Sequence, residues 1–515
     1  MSKRTVVLII LDGWGIGRND QSNPIFTAGL KNINFIKTNF PSAALQASGI
    51  AVGLPWGEEG NSEVGHLNIG GGKIIYQNYP KITLAIRDGS FFKNETFKKA
   101  VERAKKNNSA INLIGLLTDG NVHASLEHLL ALIKFAEKEQ TPKINLHLIT
   151  DGRDSSPNSA IELLKQIPLS KNIILSTIGG RYYAMDRDKH WDRTQKYYQI
   201  LVGEGAIADN CEIPIKNAYQ KNLNDEYVFP TLLEPEKRAI NDGDSIIFFN
   251  FREDRMRQII EPFINKNFDK FPVKNFSDIY VAAMIDYDDR FKIPVAFPKE
   301  RIENPLSKIL SDNDKIQIRI AETEKYAHIT YFFNGEIEPP FKNEYRVLIP
   351  SKGDIHYNEH PAMMASEITN RLIESIEEQS YDFILINYAN SDVIAHTGDY
   401  QATLEAVKII DEEIGKIVKV ILERNGILII TSDHGNAERL FDPKTGEPET
   451  RHDPNPVPIY LIAKEFARQK NEEEIREIEK IPIGVLADVA PTILELMKIP
   501  QPKEMTGQSL LKFLL

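Results

Sequence analysis

The chain has 515 residues, enough for roughly two large domains or three of average size. Hydrophobic residues make up 42% and charged residues 26%, the balance of a globular chain with an ample core. A net charge of −11, from 62 basic and 73 acidic residues, argues against a nucleic-acid or acidic-membrane partner, so an anionic substrate needs a local basic pocket. Cys211 is the single cysteine, which forbids an intrachain disulfide and suits a reducing cytoplasm.

The first apolar run, Val6–Leu11, is β-branched and too short for a signal peptide; Asp12 stops it. No other segment reaches transmembrane length, and the expectation is a cytoplasmic protein without a membrane partner. The run reads as a strand buried on both faces. Its pattern recurs at 111–117, 144–149, 173–178, 245–250, 382–388 and Ile427–Thr431, each ending in polar residues. Amphipathic helical stretches at Leu126–Lys138, 361–378 and 401–424 separate them. Strand–helix alternation predicts an α/β fold: two α/β domains with mainly parallel sheets, and ligands at the carboxyl ends of strands. The charged stretch 464–480 reads as a solvated surface helix.

The contents of those strand ends differ by region. Positions 1–75 and 380–455 carry Asp, Ser and His, whereas 118–257 carry Arg. This predicts a middle domain, 79–301, inserted into an outer domain formed by 1–78 and 302–515. Linkers are expected near Tyr79-Pro80 and at 298–305.

In the outer block, Gly60-Asn61-Ser62-Glu63-Val64-Gly65-His66 reads as a Gly-rich loop that leaves the Ser62 hydroxyl exposed. Alone such a serine is more often a turn residue, and it needs a base or a metal to act as a nucleophile. Asp12, Asp392, His396, Asp433, His434 and His452 supply candidates. Three aspartates, three histidines and the Ser62 hydroxyl suffice for two divalent ions with oxygen and nitrogen ligands. The competing reading makes Asp392 and Asp433 helix N-caps and the histidines ordinary loop residues. In the middle block Arg153, Arg181, Arg187, Arg252 and Arg255 follow strand ends, a pattern that suits a small substrate with phosphate and carboxylate groups. The competing reading is surface ion pairing with Asp186, Asp188, Glu253 and Asp254. Lys325 is a further candidate phosphate contact or an exposed lysine.

Several motifs together resemble the cofactor-independent phosphoglycerate mutases of the alkaline phosphatase superfamily. They are Leu11-Asp12-Gly13-Trp14-Gly15, the Ser62 segment, Asp151-Gly152-Arg153-Asp154, Gly180-Arg181-Tyr182-Tyr183-Ala184-Met185-Asp186-Arg187-Asp188, Asn250-Phe251-Arg252 with Arg255, Glu322-Thr323-Glu324-Lys325-Tyr326-Ala327-His328 and Ser432-Asp433-His434-Gly435-Asn436-Ala437-Glu438. The resemblance runs nearly end to end. It implies a phosphatase-like outer domain and a transferase-like inserted one. It implies two divalent metal ions, Mn²⁺ foremost, with Mg²⁺, Co²⁺ or Zn²⁺ tolerated by the ligand types. One ion is implied at Asp392, His396 and His452, the other at Asp12, Ser62, Asp433 and His434. Glycerate binding is implied for His123, Arg153, Asp154, Arg181 and Arg187, with Arg252, Arg255 and Lys325 near the phosphate. The implied activity is interconversion of 3- and 2-phosphoglycerate by a monomer through phosphoserine at Ser62, with Asp154 moving a proton. A metal-dependent phosphatase or phosphopentomutase is the alternative. The chain departs from the usual motifs at 390–396, at His190 and around His452.

Overall fold

The computed structural model describes residues 4–233, 239–353, 356–378 and 380–515. The chain divides into two compact units, Met1–Gln77 with Glu300–Leu515, and Asn78–Lys299. Among the described residues each unit holds an eight-stranded sheet, and no helix is long and apolar enough to cross a membrane.

In the discontinuous unit the strand order is Glu344–Ile349, Gln317–Glu322, Phe383–Tyr388, Val6–Leu11, Ile427–Thr431, Val457–Ile462, Ser42–Gln46, Gly484–Val485. Only Val457–Ile462 runs against its neighbours. The central strand explains its own sequence. Val6, Leu8 and Ile10 enter one apolar cluster, and Val7, Ile9 and Leu11 enter another on the opposite face. Both faces are covered by helices, so an alternating pattern would bury polar groups. Each such buried side chain contributes on the order of 1.5–3 kcal/mol.

Register then places the chemistry. Leu11 lies opposite Tyr388, and Ile10 opposite Thr431. Three strands therefore finish side by side, and Asp12, Asp392 and the pair Asp433-His434 follow those ends. Two predicted strands, Val6–Leu11 and Ile427–Thr431, have the expected bounds. Gln317–Glu322 escapes sequence reading because polar Gln317 and Arg319 interrupt it. Arg319 is fully buried, its guanidinium 5.0 and 5.2 Å from the rings of Phe333 and Phe383 and donating to Ser307 Oγ at 2.8 Å.

The Ser62 segment is not a loop. Ser62 opens a helix, Ser62–Gly71, capped by Asn61, whose Oδ1 accepts from the Val64 amide at 2.9 Å. Its glycines serve close packing rather than flexibility. A Cβ on Gly65 would lie 2.6 Å from the Asp433 carbonyl oxygen, and one on Gly70 2.1 Å from that of Phe333. Backbone cannot yield as a flexible side chain can. Gly70→Ala should therefore lower unfolding free energy by about 1–3 kcal/mol in denaturant titration. Gly353→Ala, where nothing lies within 4 Å, should stay within about 0.5 kcal/mol.

The second unit orders its strands Val295–Phe297, Tyr280–Ile285, Ser245–Phe248, Ala110–Leu117, Lys143–Thr150, Ile173–Gly180, Thr231–Leu233, Ala206–Ala208. All but the pairing of Ile173–Gly180 with Thr231–Leu233 are parallel. The helix Leu126–Lys138 has its predicted bounds. His147 is buried within this sheet. One ring nitrogen faces Asn112 Oδ1 and the other Thr177 Oγ1, each at 3.0 Å. A neutral ring satisfies both, donating to the amide oxygen and accepting from the hydroxyl. Burial pushes its pKa down to about 3. The unfolded chain, with a value near 6.5, then binds a proton that the folded chain refuses. Stability should fall as pH drops from about 6.5 toward 3, by roughly 1.4 kcal/mol per pH unit for this group. His147→Gln should flatten the measured slope by about one proton over that range.

The stretch 464–480 differs from expectation. A short 3₁₀ turn covers Lys464–Phe466 and only Glu472–Lys480 is α-helical, with an Asn471/Glu474 capping box. Between them Lys470 is buried, donating to Phe40 O at 2.6 Å and Ser42 Oγ at 2.5 Å. Burial, and then the Arg468 charge, push its pKa down to about 8.

Candidate functional site

Ser62, Asp12 and Lys325 meet at the carboxyl edge of the first sheet. Ser62 Oγ accepts from Lys325 Nζ at 2.8 Å, and its proton faces His434 Nε2 at 3.0 Å and Asp12 Oδ1 at 3.2 Å. Lys325 is buried, not an exposed lysine. It also reaches Asp12 Oδ1 at 2.6 Å and Asp392 Oδ2 at 2.7 Å. Burial alone would lower its pKa, but Asp12, Asp392 and Asp433 outweigh that and hold the ammonium charged.

Neither Asp392 nor Asp433 is a helix cap. Asp392 lies within the short helix Asn390–Ala395, and Asp433 on the turn after its strand. The side chains form two groups whose ligating atoms lie within 4.8 Å of one another: Asp392 with His434 and His452, and Asp12 with Asp433 and His434. His396 joins the first, its Nε2 3.2 Å from Asp392 Oδ1. Its Nδ1 donates to Thr450 O at 2.7 Å, and that of His452 donates to Gly60 O at 2.8 Å. With Nδ1 of each ring committed to a backbone carbonyl, both rings turn Nε2 to one place. Those two nitrogens are 3.0 Å apart, and His452 Nε2 is 3.4 Å from Asp392 Oδ1. Two ring nitrogens and a carboxylate oxygen that converge so closely need positive charge among them, a proton or a metal ion. Asp433 Oδ2 is also buried, with His66 Nδ1 3.2 Å away. Against burial, the three aspartates raise the pKa of the His434 ring to about 9, so the cluster draws positive charge and its donor set fits divalent cations of the oxygen- and nitrogen-loving kind.

In the second unit Arg181 is buried and its Nη1 meets Asp151 Oδ1 at 2.5 Å and Asp154 Oδ2 at 2.9 Å. Arg153 pairs with Glu226, its Nε donating to Oε2 at 2.9 Å. Asp254 gathers three groups: Arg187 at 2.7 Å, Arg252 at 3.6 Å and His123 Nδ1 at 3.6 Å. Arg255 donates to Met185 O at 3.0 Å, and its pKa is lowered by burial and by Arg181 and Arg187 nearby. His123 falls to about 4, through burial and then the Arg181 charge. Surface ion pairing is thus real for Arg187 and Arg252, yet the arginines also crowd one another. Such crowding is stable where an anion relieves it.

The sequence from residue 4 to 501 matches the Metalloenzyme superfamily. The 2,3-bisphosphoglycerate-independent phosphoglycerate mutase of Clostridium botulinum is 45% identical over 99% of this chain and 100% of its own length. Such an enzyme from Methanosarcina barkeri is 43% identical over 99% and 98%. The chain belongs to the 2,3-bisphosphoglycerate-independent phosphoglycerate mutases. A crystal structure of Leishmania mexicana phosphoglycerate mutase at low cobalt concentration is similar too, with 27% identity, 99% and 98% coverage and a TM-score of 0.52.

In this family member several supporting residues escaped the sequence reading. Asn387 donates from its Nδ2 to Asp12 Oδ2 at 2.8 Å and approaches His66 Nε2 at 3.1 Å. That leaves His66 Nδ1 as the donor, 2.8 Å from Ser62 O and 3.2 Å from Asp433 Oδ2. Ser391 Oγ donates to Asp12 O, and Asn436 Nδ2 to Asp392 Oδ1, at 2.5 and 2.8 Å. One signal was available: Asn387 is a lone amide inside the apolar strand Phe383–Tyr388, and a buried polar group needs a partner.

Proposed function

We propose that this chain interconverts 3-phosphoglycerate and 2-phosphoglycerate, an isomerase reaction, by passing the phosphoryl group through Ser62 without leaving glycerate free. The observation that carries the reading is the Ser62 hydroxyl, within 3.2 Å of Asp12, His434 and Lys325. The family relationship selects the substrate.

Ser62 Oγ attacks phosphorus of 3-phosphoglycerate, the bond to the C3 oxygen breaks, and phosphoserine and glycerate result. Two divalent cations, which we read as Mn²⁺, held by Asp12, Ser62, Asp433 and His434 and by Asp392, His396 and His452, would supply Lewis-acid stabilisation of the alkoxide and phosphoryl oxygens. Lys325 brings a fixed positive charge to the phosphoryl oxygens. The arginine cluster holds the carboxylate and phosphate, with His123, Arg153, Arg181 and Arg187 on glycerate and Arg252 and Arg255 on phosphate. Asp154 takes a proton from one glycerate hydroxyl and returns it to the other. The C2 oxygen then attacks phosphoserine and restores Ser62. A phosphatase needs no such cluster, which is why the mutase reading is preferred. The same reading takes the protein as a monomer, from the family resemblance, working in the cytoplasm, whose reducing conditions suit the lone Cys211.

Chirally labelled phosphoryl substrate tests the scheme. Two in-line displacements give net retention at phosphorus, with turnover in the absence of 2,3-bisphosphoglycerate. Inversion would sink it, and release of inorganic phosphate without 2-phosphoglycerate would favour the phosphatase.

A further inference from the structure

Glu438 has no role in the chemistry above, yet it is 1% exposed, and a buried carboxylate needs a reason. Its Oε2 accepts from the amides of Gly15 at 3.0 Å and Asn436 at 2.8 Å. Its Oε1 accepts from Asn455 Nδ2 at 3.2 Å. Those three partners lie on three separate turns. Gly15 is three residues beyond Asp12, Asn436 two beyond His434, and Asn455 three beyond His452. One carboxylate therefore ties together every turn that follows Asp12, the Asp433-His434 pair and His452.

The surrounding backbone is shaped to admit it. A Cβ on Gly15 would lie 2.2 Å from Glu438 Cδ, one on Gly435 2.3 Å from Oε1, and one on Gly17 2.7 Å from the Glu438 carbonyl oxygen. Three glycines thus form a cradle that any larger residue would fill. Backbone bonds reinforce the junction: the Ala437 amide donates to Gly13 O at 2.9 Å, and that of Asp453 to Gly435 O at 2.9 Å. Among the described residues no hydrogen bond joins the metal-ligand side chains to the Glu438 carboxylate. Its influence must pass through the turns that carry them.

We propose that Glu438 is a positioning residue that holds the Asp12, Asp433-His434 and His452 turns at the spacing a divalent cation requires. The inference rests on the metal reading of the site. It assigns this carboxylate a task that neither hydrophobic packing nor the phosphoryl chemistry explains. Residues that orient metal ligands typically contribute about 10- to 100-fold in metal affinity when lost. Glutamine keeps the shape but turns one acceptor oxygen into an NH₂ group that faces N–H donors.

The test uses purified full-length protein with Mn²⁺ as the probe, free Mn²⁺ being read from its electron paramagnetic resonance signal. Wild type should bind Mn²⁺; failure to do so would overturn the metal reading itself. Glu438→Gln should bind about 10- to 100-fold more weakly. Its turnover should recover at high Mn²⁺, with KM for 3-phosphoglycerate unchanged. Asn455→Ala removes only the Oε1 partner from a half-buried position and should weaken binding by a smaller factor, so it serves if Glu438→Gln does not fold. Wild-type Mn²⁺ affinity in folded Glu438→Gln, or in Asn455→Ala, would overturn the proposal. So would a loss of binding confined to temperatures where the metal-free variant is already unfolding.

Discussion

Ser62→Ala should lose mutase turnover by at least roughly 10⁴-fold while the protein stays folded and still binds divalent cation. The reason lies in what the hydroxyl does and what it does not do. It is the one nucleophilic atom in contact with Lys325, Asp12 and His434, so no neighbour can substitute for it. It is not needed for packing, since Ser62 opens its helix and Asn61 supplies the cap. Alanine is also a good helix former, so the helix Ser62–Gly71 should persist. The measurement is the conversion of 3- to 2-phosphoglycerate beside a melting curve with and without Mn²⁺. Residual turnover within tenfold of wild type would remove Ser62 from the mechanism.

Removal of metal should have the next largest effect. Chelator should abolish turnover and lower the melting temperature, and Mn²⁺ should restore both. At a free ion concentration about 100 times the dissociation constant, binding to the folded state alone adds about 2.7 kcal/mol. Asp433→Asn separates ligation from structure. The Oδ1 atom accepts from the amides of Gly13 at 3.2 Å and His434 at 3.1 Å, and asparagine keeps that oxygen. Oδ2, which faces His66 Nδ1 at 3.2 Å, becomes an NH₂ group unable to ligate. The variant should fold, show little Mn²⁺-dependent stabilisation and lose turnover on the order of 10³-fold. Full activity in chelator would refute the metal requirement.

The Asp and His cluster was legible because its residue types are rare where they stand. Asp and His after consecutive buried strands are hard to explain as turn formers alone. The Arg cluster was legible for the same reason, though its internal ion pairs with Asp151, Asp154 and Asp254 were not. The Ser62 segment was misread as a loop, since glycine content signals flexibility and close packing alike. Only the neighbours distinguish them, here the Asp433 and Phe333 carbonyls. Lys470 was misread for a related reason: a charged run looks solvated until the residues above it are known.

By itself, then, the sequence determined the strand–helix alternation, the apolar run at the centre of the first sheet and the inventory of Asp, His and Arg side chains at the strand ends. These follow from periodicity and residue chemistry, which are local. The tertiary structure decided the rest. Register between Val6–Leu11 and its two parallel neighbours set Asp12, Asp392 and Asp433 beside one another. Burial made Lys325 an internal cation, and it brought Asn387, His66 and Glu438 behind the Asp and His cluster. No local pattern encodes the longest of those contacts, because Asp12 meets Lys325 and Asn387 across more than 300 residues, and they come together only in the folded sheet.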